Sequence, residues 1–286
     1  MAELAYFEPT SVAEAVSLLG RYRAEARVLA GGTDLLVQMK QGKTSLRCLI
    51  DLATIPGLDN IEYNATTGLK LGARVTMRAL ERSTLLQEKY PVIAQAAGRL
   101  GHIAIRNIAT LGGNLCHAVP SAEMAPALVA LSARARIAGP DGERTVPLEE
   151  FFVAAGRTVL KPTELLVEIQ VPVSPTNTRG VYLKYTARAT GLPIVGVAVV
   201  ATIEPKSRTC QDIRIVVSNV APTVMRARQA EAIIRGKPIS PELIEQSARA
   251  AAGEANPRPG SVRASAEYKK AMAGVFTRRA LTAIIS

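Results

Sequence analysis

Val28-Leu29-Ala30-Gly31-Gly32-Thr33-Asp34-Leu35-Leu36 is the stretch on which the reading of this 286-residue chain turns. A short apolar run enters two consecutive glycines. The chain leaves through Thr33-Asp34 into Leu35, Leu36 and Met39, a spacing that puts apolar side chains on one face of a helix. The pattern predicts a strand, a glycine turn and a helix start. Glycines let the backbone take positive φ and let a second molecule approach with no Cβ in the way. Free N–H groups at a helix start attract an anion. The same residues also suit an ordinary turn in which Thr33 or Asp34 is only the N-cap. The third glycine of a dinucleotide fingerprint and the Gly-Lys-Ser/Thr of a P-loop are both missing, so neither of those mechanisms applies.

A second glycine pair stands in Ile105-Arg106-Asn107-Ile108-Ala109-Thr110-Leu111-Gly112-Gly113-Asn114-Leu115. It is flanked by hydroxyl and amide side chains that can donate to phosphate oxygens. Two separated loops of this kind suit a diphosphate. Taken together, Ala30-Gly31-Gly32-Thr33-Asp34-Leu35-Leu36 and Thr110-Leu111-Gly112-Gly113-Asn114 resemble the paired FAD motifs of the flavin subunit of molybdenum hydroxylases. That subunit is the medium chain of the carbon monoxide dehydrogenase and bacterial xanthine dehydrogenase type. The resemblance extends to Lys161-Pro162-Thr163-Glu164-Leu165-Leu166 and Arg263-Ala264-Ser265-Ala266-Glu267-Tyr268.

The resemblance implies a non-covalently bound FAD. It implies pyrophosphate contacts from Gly31, Gly32, Thr33 and Asp34, with Val28, Leu29, Ala30 and Leu35 as further cofactor-binding residues. From Thr110, Gly112, Gly113 and Asn114 it implies contacts to the pyrophosphate and the flavin side. Glu123 stands where the family usually has an aspartate near the adenosine or ribityl region; the plain alternative is an exposed glutamate in a first helical turn. Lys184, in Tyr182-Leu183-Lys184-Tyr185, matches a lysine near the isoalloxazine ring, and Leu166 matches a backbone contact to that ring. A lysine on an exposed strand face is the plain reading of Lys184. His117 reads as a locally satisfied histidine, with no family pattern supporting covalent flavin attachment.

The resemblance also implies an α+β fold: a two-part FAD-binding domain of the p-cresol methylhydroxylase/vanillyl-alcohol oxidase type, then a C-terminal domain of a three-stranded antiparallel sheet and three helices. The expected FAD-binding domain covers 1–175, with subdomains of about 1–57 and 58–175, and the C-terminal domain covers 178–286. The implied function is that of an oxidoreductase subunit that passes electrons from partner iron–sulfur clusters through FAD to a soluble acceptor. The partners would be an iron–sulfur small subunit and a molybdenum large subunit, arranged as a dimer of heterotrimers. No catalytic residue is expected on this chain. The alternative is a free-standing FAD-dependent oxidase or dehydrogenase of the same binding fold, which would need its own substrate pocket.

Composition narrows the choice. With 48% hydrophobic and 21% charged residues the chain reads as globular, not disordered. Cys48, Cys116 and Cys210 are odd in number and far apart, so no disulfide framework follows and a reducing compartment fits. Two histidines and no Cys-x-x-Cys leave neither a usual zinc site nor an iron–sulfur site on this chain. Met1 to Pro9 lacks a basic segment followed by an apolar core, so no signal peptide is expected. Leu192 to Ile203 falls short of the roughly 20 residues of a membrane span. A cytoplasmic location is therefore expected. The net charge of +11 raises nucleic acid as a partner, but aromatics are only 4% and no recognition motif is present. A dianionic cofactor and acidic partner subunits fit the charge instead.

Local signals place the elements. Ser11-Val12-Ala13-Glu14 is a capping box that opens a helix to about Gly20. The strand before Gly31, a helix from about Thr33 to Lys40 and a strand at Cys48 to Leu52 make a β-α-β unit. A hairpin at 61–73 follows, then helices at Thr76 to Arg82 and Pro91 to Leu100. Ser121 is read as the cap of a helix reaching Leu131, and Pro140-Asp141-Gly142 as a turn. Beyond a linker at 172–177, strands are expected at 180–186, 194–203 and 213–219. Helices are expected at about 225–235, 241–252 and 265–284.

Overall fold

The computed structural model describes residues 4–44, 46–261 and 263–285; part of the segment read for a signal peptide, residues 1–3, lies outside them. The first unit comprises β1 (Ala5–Phe7), α1 (Val12–Tyr22), β2 (Ala26–Leu29), α2 (Leu35–Lys40) and β3 (Cys48–Asp51). All of its pairings are parallel, with β3 between β1 and β2. Ser11 Oγ accepts the Glu14 N–H at 3.2 Å, as the capping sequence requires. Glu14 reaches back to the N–H and hydroxyl of Thr10 rather than to Ser11. Ala15, Val16 and Leu19 of α1 are buried with Cys48 and Ile50, and the same core takes in Ala138, Leu165 and Val167 from much later in the chain. β1 was not foreseen, because three residues that pair with a distant parallel strand carry no local signal.

The second unit opens with the expected hairpin, β4 (Ile61–Asn64) and β5 (Gly68–Gly72). Six short helices follow: α3 (Met77–Arg82), α4 (Thr84–Lys89), α5 (Pro91–Gly98), α6 (Ile103–Arg106), α7 (Leu111–His117) and α8 (Met124–Ala130). Then come β6 (Arg134–Gly139), β7 (Gly142–Pro147), α9 (Leu148–Phe151), β8 (Phe152–Ala154), β9 (Arg157–Thr158) and β10 (Leu165–Val171). The main sheet is antiparallel in the order β4-β5-β10-β6-β7. Two expectations need correction. Gly112 and Gly113 lie inside α7 rather than in a loop, because Thr110 caps that helix. Among the described residues, Ser121 caps no helix; Glu123 occupies the N-cap position of α8, and the Met124 N–H goes to Asn114 Oδ1 at 3.3 Å.

The third unit consists of β11 (Thr178–Tyr185), β12 (Val195–Ile203), β13 (Cys210–Ser218), β14 (Met225–Arg226), α10 (Arg228–Ile234), α11 (Pro241–Glu254) and α12 (Ala266–Ile285). The antiparallel sheet runs β11-β12-β13-β14, so a fourth, two-residue strand stands where the start of a helix was expected. Strand alternation splits the loyalties of this sheet. Val195, Val197 and Val199 pack with the three helices, while Tyr182, Ala198 and Val216 belong to the core of the second unit. Among the described residues, no helix is long and apolar enough to cross a membrane.

Candidate functional site

All three units contribute to one cavity of about 790 Å³. That volume falls in the range of small-molecule and cofactor sites. Val28, Ala30, Gly31, Gly32, Thr33, Asp34 and Leu35 form one wall; Thr110, Gly112, Gly113, Asn114, Glu123 and Leu166 lie on others. Leu29 and Lys184 are not on the surface of the cavity.

The first glycine pair is held open in an unusual way. Gly32 has φ +69°, the left-handed region that favours glycine. Gly31 has another constraint: a Cβ there would overlap the carbonyl oxygen of Ile108. The two glycine motifs therefore touch backbone to backbone. Leu36 N–H donates to Gly32 O at 3.0 Å, which starts α2. Among the described residues, no oxygen of the chain accepts from the N–H groups of Gly31, Gly32, Thr33, Asp34 or Leu35. A run of free donors beside a cavity is a cradle for an anion with several oxygens.

The second motif offers something different. The Gly112 N–H is spent on Ala73 O at 2.7 Å and the Gly113 N–H on Thr110 Oγ1 at 3.2 Å. The glycine N–H groups on this side are thus consumed by a helix cap and the 73–77 segment. What remains toward the cavity is side-chain chemistry. Thr110 keeps its O–H, and Asn114, whose Oδ1 accepts from Met124, keeps its NH₂.

Glu123 and Lys184 are both buried and paired, with Lys184 Nζ 2.9 Å from Glu123 Oε1 and 2.8 Å from Arg99 O. Neither plain reading holds, since Glu123 is only 3% exposed and the Lys184 side chain only 2%. Lys184 stands behind Glu123 and meets the cavity through it. Burial pushes the Glu123 carboxyl up, against the opposing pull of Lys184. Leu166 sits where β10 leaves its neighbour: β5 ends at Gly72 opposite Glu168, and a register shift follows on the β6 side. Its backbone thus has no strand partner on one flank.

Several cavity residues were missed in the sequence. His117, at the end of α7, has Nε2 3.7 Å from Asp34 Oδ1, so a side chain read as local in fact bridges the two motifs. Thr190, Gly191 and Leu192 reach the cavity from the β11–β12 connection, and no sequence signal marks them. Arg263 also lines it, inside the C-terminal motif that was noted without a role. Among the described residues, no group of three histidine, cysteine or acidic side chains could hold a metal ion.

Residues 2–174 match the family model described as the FAD binding domain in molybdopterin dehydrogenase. Residues 181–284 match the CO dehydrogenase flavoprotein C-terminal domain. The carbon monoxide dehydrogenase medium chain of Hydrogenophaga pseudoflava is 35% identical over 278 residues, covering 97% of this chain and 96% of that one. The xanthine dehydrogenase FAD-binding subunit of Escherichia coli O157:H7 is 27% identical over 283 residues, covering 98% and 96%. A solved structure of carbon monoxide dehydrogenase from Hydrogenophaga pseudoflava superposes with a TM-score of 0.94 at 36% identity, covering 99% of this chain and 97% of its counterpart. With the cradle, the fold and full-length likeness in agreement, the chain belongs to the family of FAD-binding medium subunits of the carbon monoxide dehydrogenase and xanthine dehydrogenase type.

Proposed function

We propose that this chain holds one non-covalent FAD and relays electrons from an iron–sulfur partner to a soluble acceptor, in a complex whose molybdenum partner oxidises the substrate. The observation that carries this reading is the run of unpartnered N–H groups from Gly31 to Leu35 on the wall of the 790 Å³ cavity. Bound FAD supplies the one- and two-electron chemistry. The chain's own residues bind and orient. The Gly31–Leu35 donors take the diphosphate, and Thr110 O–H and the Asn114 NH₂ donate from the facing side. Glu123 accepts from hydroxyl groups, with Lys184 fixing its carboxylate from behind. The open backbone flank at Leu166 borders the ring. Val28 and Ala30 add apolar wall beside the Gly31–Leu35 donors.

The proposed division is a FAD-binding domain over 1–175 and a C-terminal domain over 178–286. The proposed assembly is a dimer of heterotrimers in the cytoplasm. Three free thiols, none paired, suit that compartment. Reduction in the complex is the test. Anaerobic addition of the reducing substrate should bleach the flavin absorbance when the iron–sulfur and molybdenum chains are present, and leave the isolated subunit yellow. Rapid bleaching of the isolated chain would instead identify a free-standing flavoenzyme. Acid precipitation should leave the flavin in the supernatant; flavin in the pellet would contradict non-covalent binding.

A further inference from the structure

Among the described residues, the cavity wall carries three carboxylates, and their counter-ions differ. Glu123 is paired with Lys184 at 2.9 Å. Glu164 is gripped by Arg144 through two bonds of 2.8 Å. Among the described residues, Asp34 pairs with His117 alone, at 3.7 Å. Histidine is the side chain that changes charge between about pH 5 and 8. Asp34 also follows directly on Gly31, Gly32 and Thr33, so its carboxylate stands beside the donors proposed to take a diphosphate. An uncompensated carboxylate in this position opposes a dianion.

We propose that His117 is the positioning residue that makes the Gly31–Leu35 cradle compatible with a dianion. When protonated it holds and offsets the Asp34 carboxylate, which couples FAD affinity to a proton through a bridge between the two glycine motifs. The inference rests on the FAD reading above. His117 closes α7, and a helix C-terminus favours a cation there. The other charged groups around the cavity do not duplicate this part. Arg27 and Arg263 also line the cavity, but among the described residues neither forms an ion pair with Asp34, and an arginine keeps its charge at every pH of interest. Glu123 and Glu164 have their own cations. The Cys116 thiol, pushed up to about 12 by burial, stays neutral.

The test is FAD affinity of the full chain, measured by flavin fluorescence at about pH 6 and pH 8 and constant ionic strength. Wild type should bind about fivefold to tenfold more tightly at the lower pH, the size of effect that one nearby opposite charge produces. His117→Gln should bind weakly at both values and lose the slope. His117→Lys should bind tightly at both, since its charge does not depend on pH in this range. In the Asp34→Asn background, His117→Gln should cost less than about threefold, a coupling that only an interaction between the two side chains produces. Asp34 is more than half exposed, so its replacement does not threaten folding. A retained pH slope in His117→Gln overturns the inference, and so does an equal cost of that change with and without Asp34. A wild-type chain with no FAD affinity at either pH overturns the FAD reading itself, and this inference with it.

Discussion

Gly31 and Gly32 are neighbours with different reasons to be glycine. At Gly32 a side chain would strain a left-handed backbone, a cost of about 1–2 kcal/mol, and Leu29 and Leu36 would have to shift. At Gly31 the obstacle is the backbone of Ile108 and Ala109, which cannot rotate aside. Gly31→Ala should therefore pry the two motifs apart and weaken FAD binding at least tenfold, equivalent to about 1.4 kcal/mol. Gly113→Ala, at ordinary φ and facing only Thr110 Oγ1, should lose less. Flavin titration of both variants decides, and a greater loss at Gly113 would sink the argument. Both glycine pairs were legible in the sequence as special positions. The constraint that each pair serves was not, because the atom that excludes a side chain at Gly31 belongs to a residue far along the chain. His117 was misread for the same reason: its partner Asp34 lies on the other motif.

Elements with strong local caps were legible to within a residue or two. Ser240 and Pro241 open α11, and Pro91 opens α5, because the groups that fix those helix starts are adjacent in sequence. α7 was hidden for the opposite reason. Two glycines argue against a helix, and the Thr110 cap together with the bonds from Leu111 and Gly112 to Val75 and Ala73 overrides that propensity. The strand β11 carries Lys184 against Glu123 at the entry to α8, so this pair joins elements from two units. Lys184→Met would leave the Glu123 carboxylate buried and alone, at a cost of about 3–5 kcal/mol near neutral pH. The sign of its pH dependence follows from the raised Glu123 carboxyl. A carboxyl raised in the folded state binds its proton more tightly there than in the unfolded chain, so this group's contribution to stability falls as pH rises through that window. The deficit of Lys184→Met relative to wild type should accordingly shrink on acidification, where a neutral carboxyl needs no cation. Urea unfolding of both proteins at about pH 7.5 and pH 5 measures it. A deficit that widens at the lower pH would contradict the account.

At the scale of the whole molecule, the cavity is where three units meet, with Gly31–Leu35 from the first, Thr110–Glu123 and Leu166 from the second, and Thr190–Leu192 with Arg263 from the third. Filling it should stabilise the units together. At a hundredfold excess over its dissociation constant, FAD should add about 2.7 kcal/mol to the unfolding free energy. It should also slow limited proteolysis in the exposed 187–190 segment, which lies in the connection that lines the cavity. Unchanged cleavage there with bound FAD would show that the third unit takes no part. The meeting of units was the least legible level, since a surface assembled from three distant segments has no periodicity to read. The shared core of the first unit also sets an order of events during synthesis. When the ribosome has delivered Gly31 and Gly32, it has not yet delivered Ile108, on which Gly31 rests, nor Ala138, Leu165 and Val167, which complete the core beneath the parallel sheet. At bacterial to eukaryotic elongation rates the N-terminal segment waits on the order of 10 s for those residues. Flavin capture therefore belongs to the end of translation or after it, and a nascent chain stalled before β10 carries the motif without the means to use it.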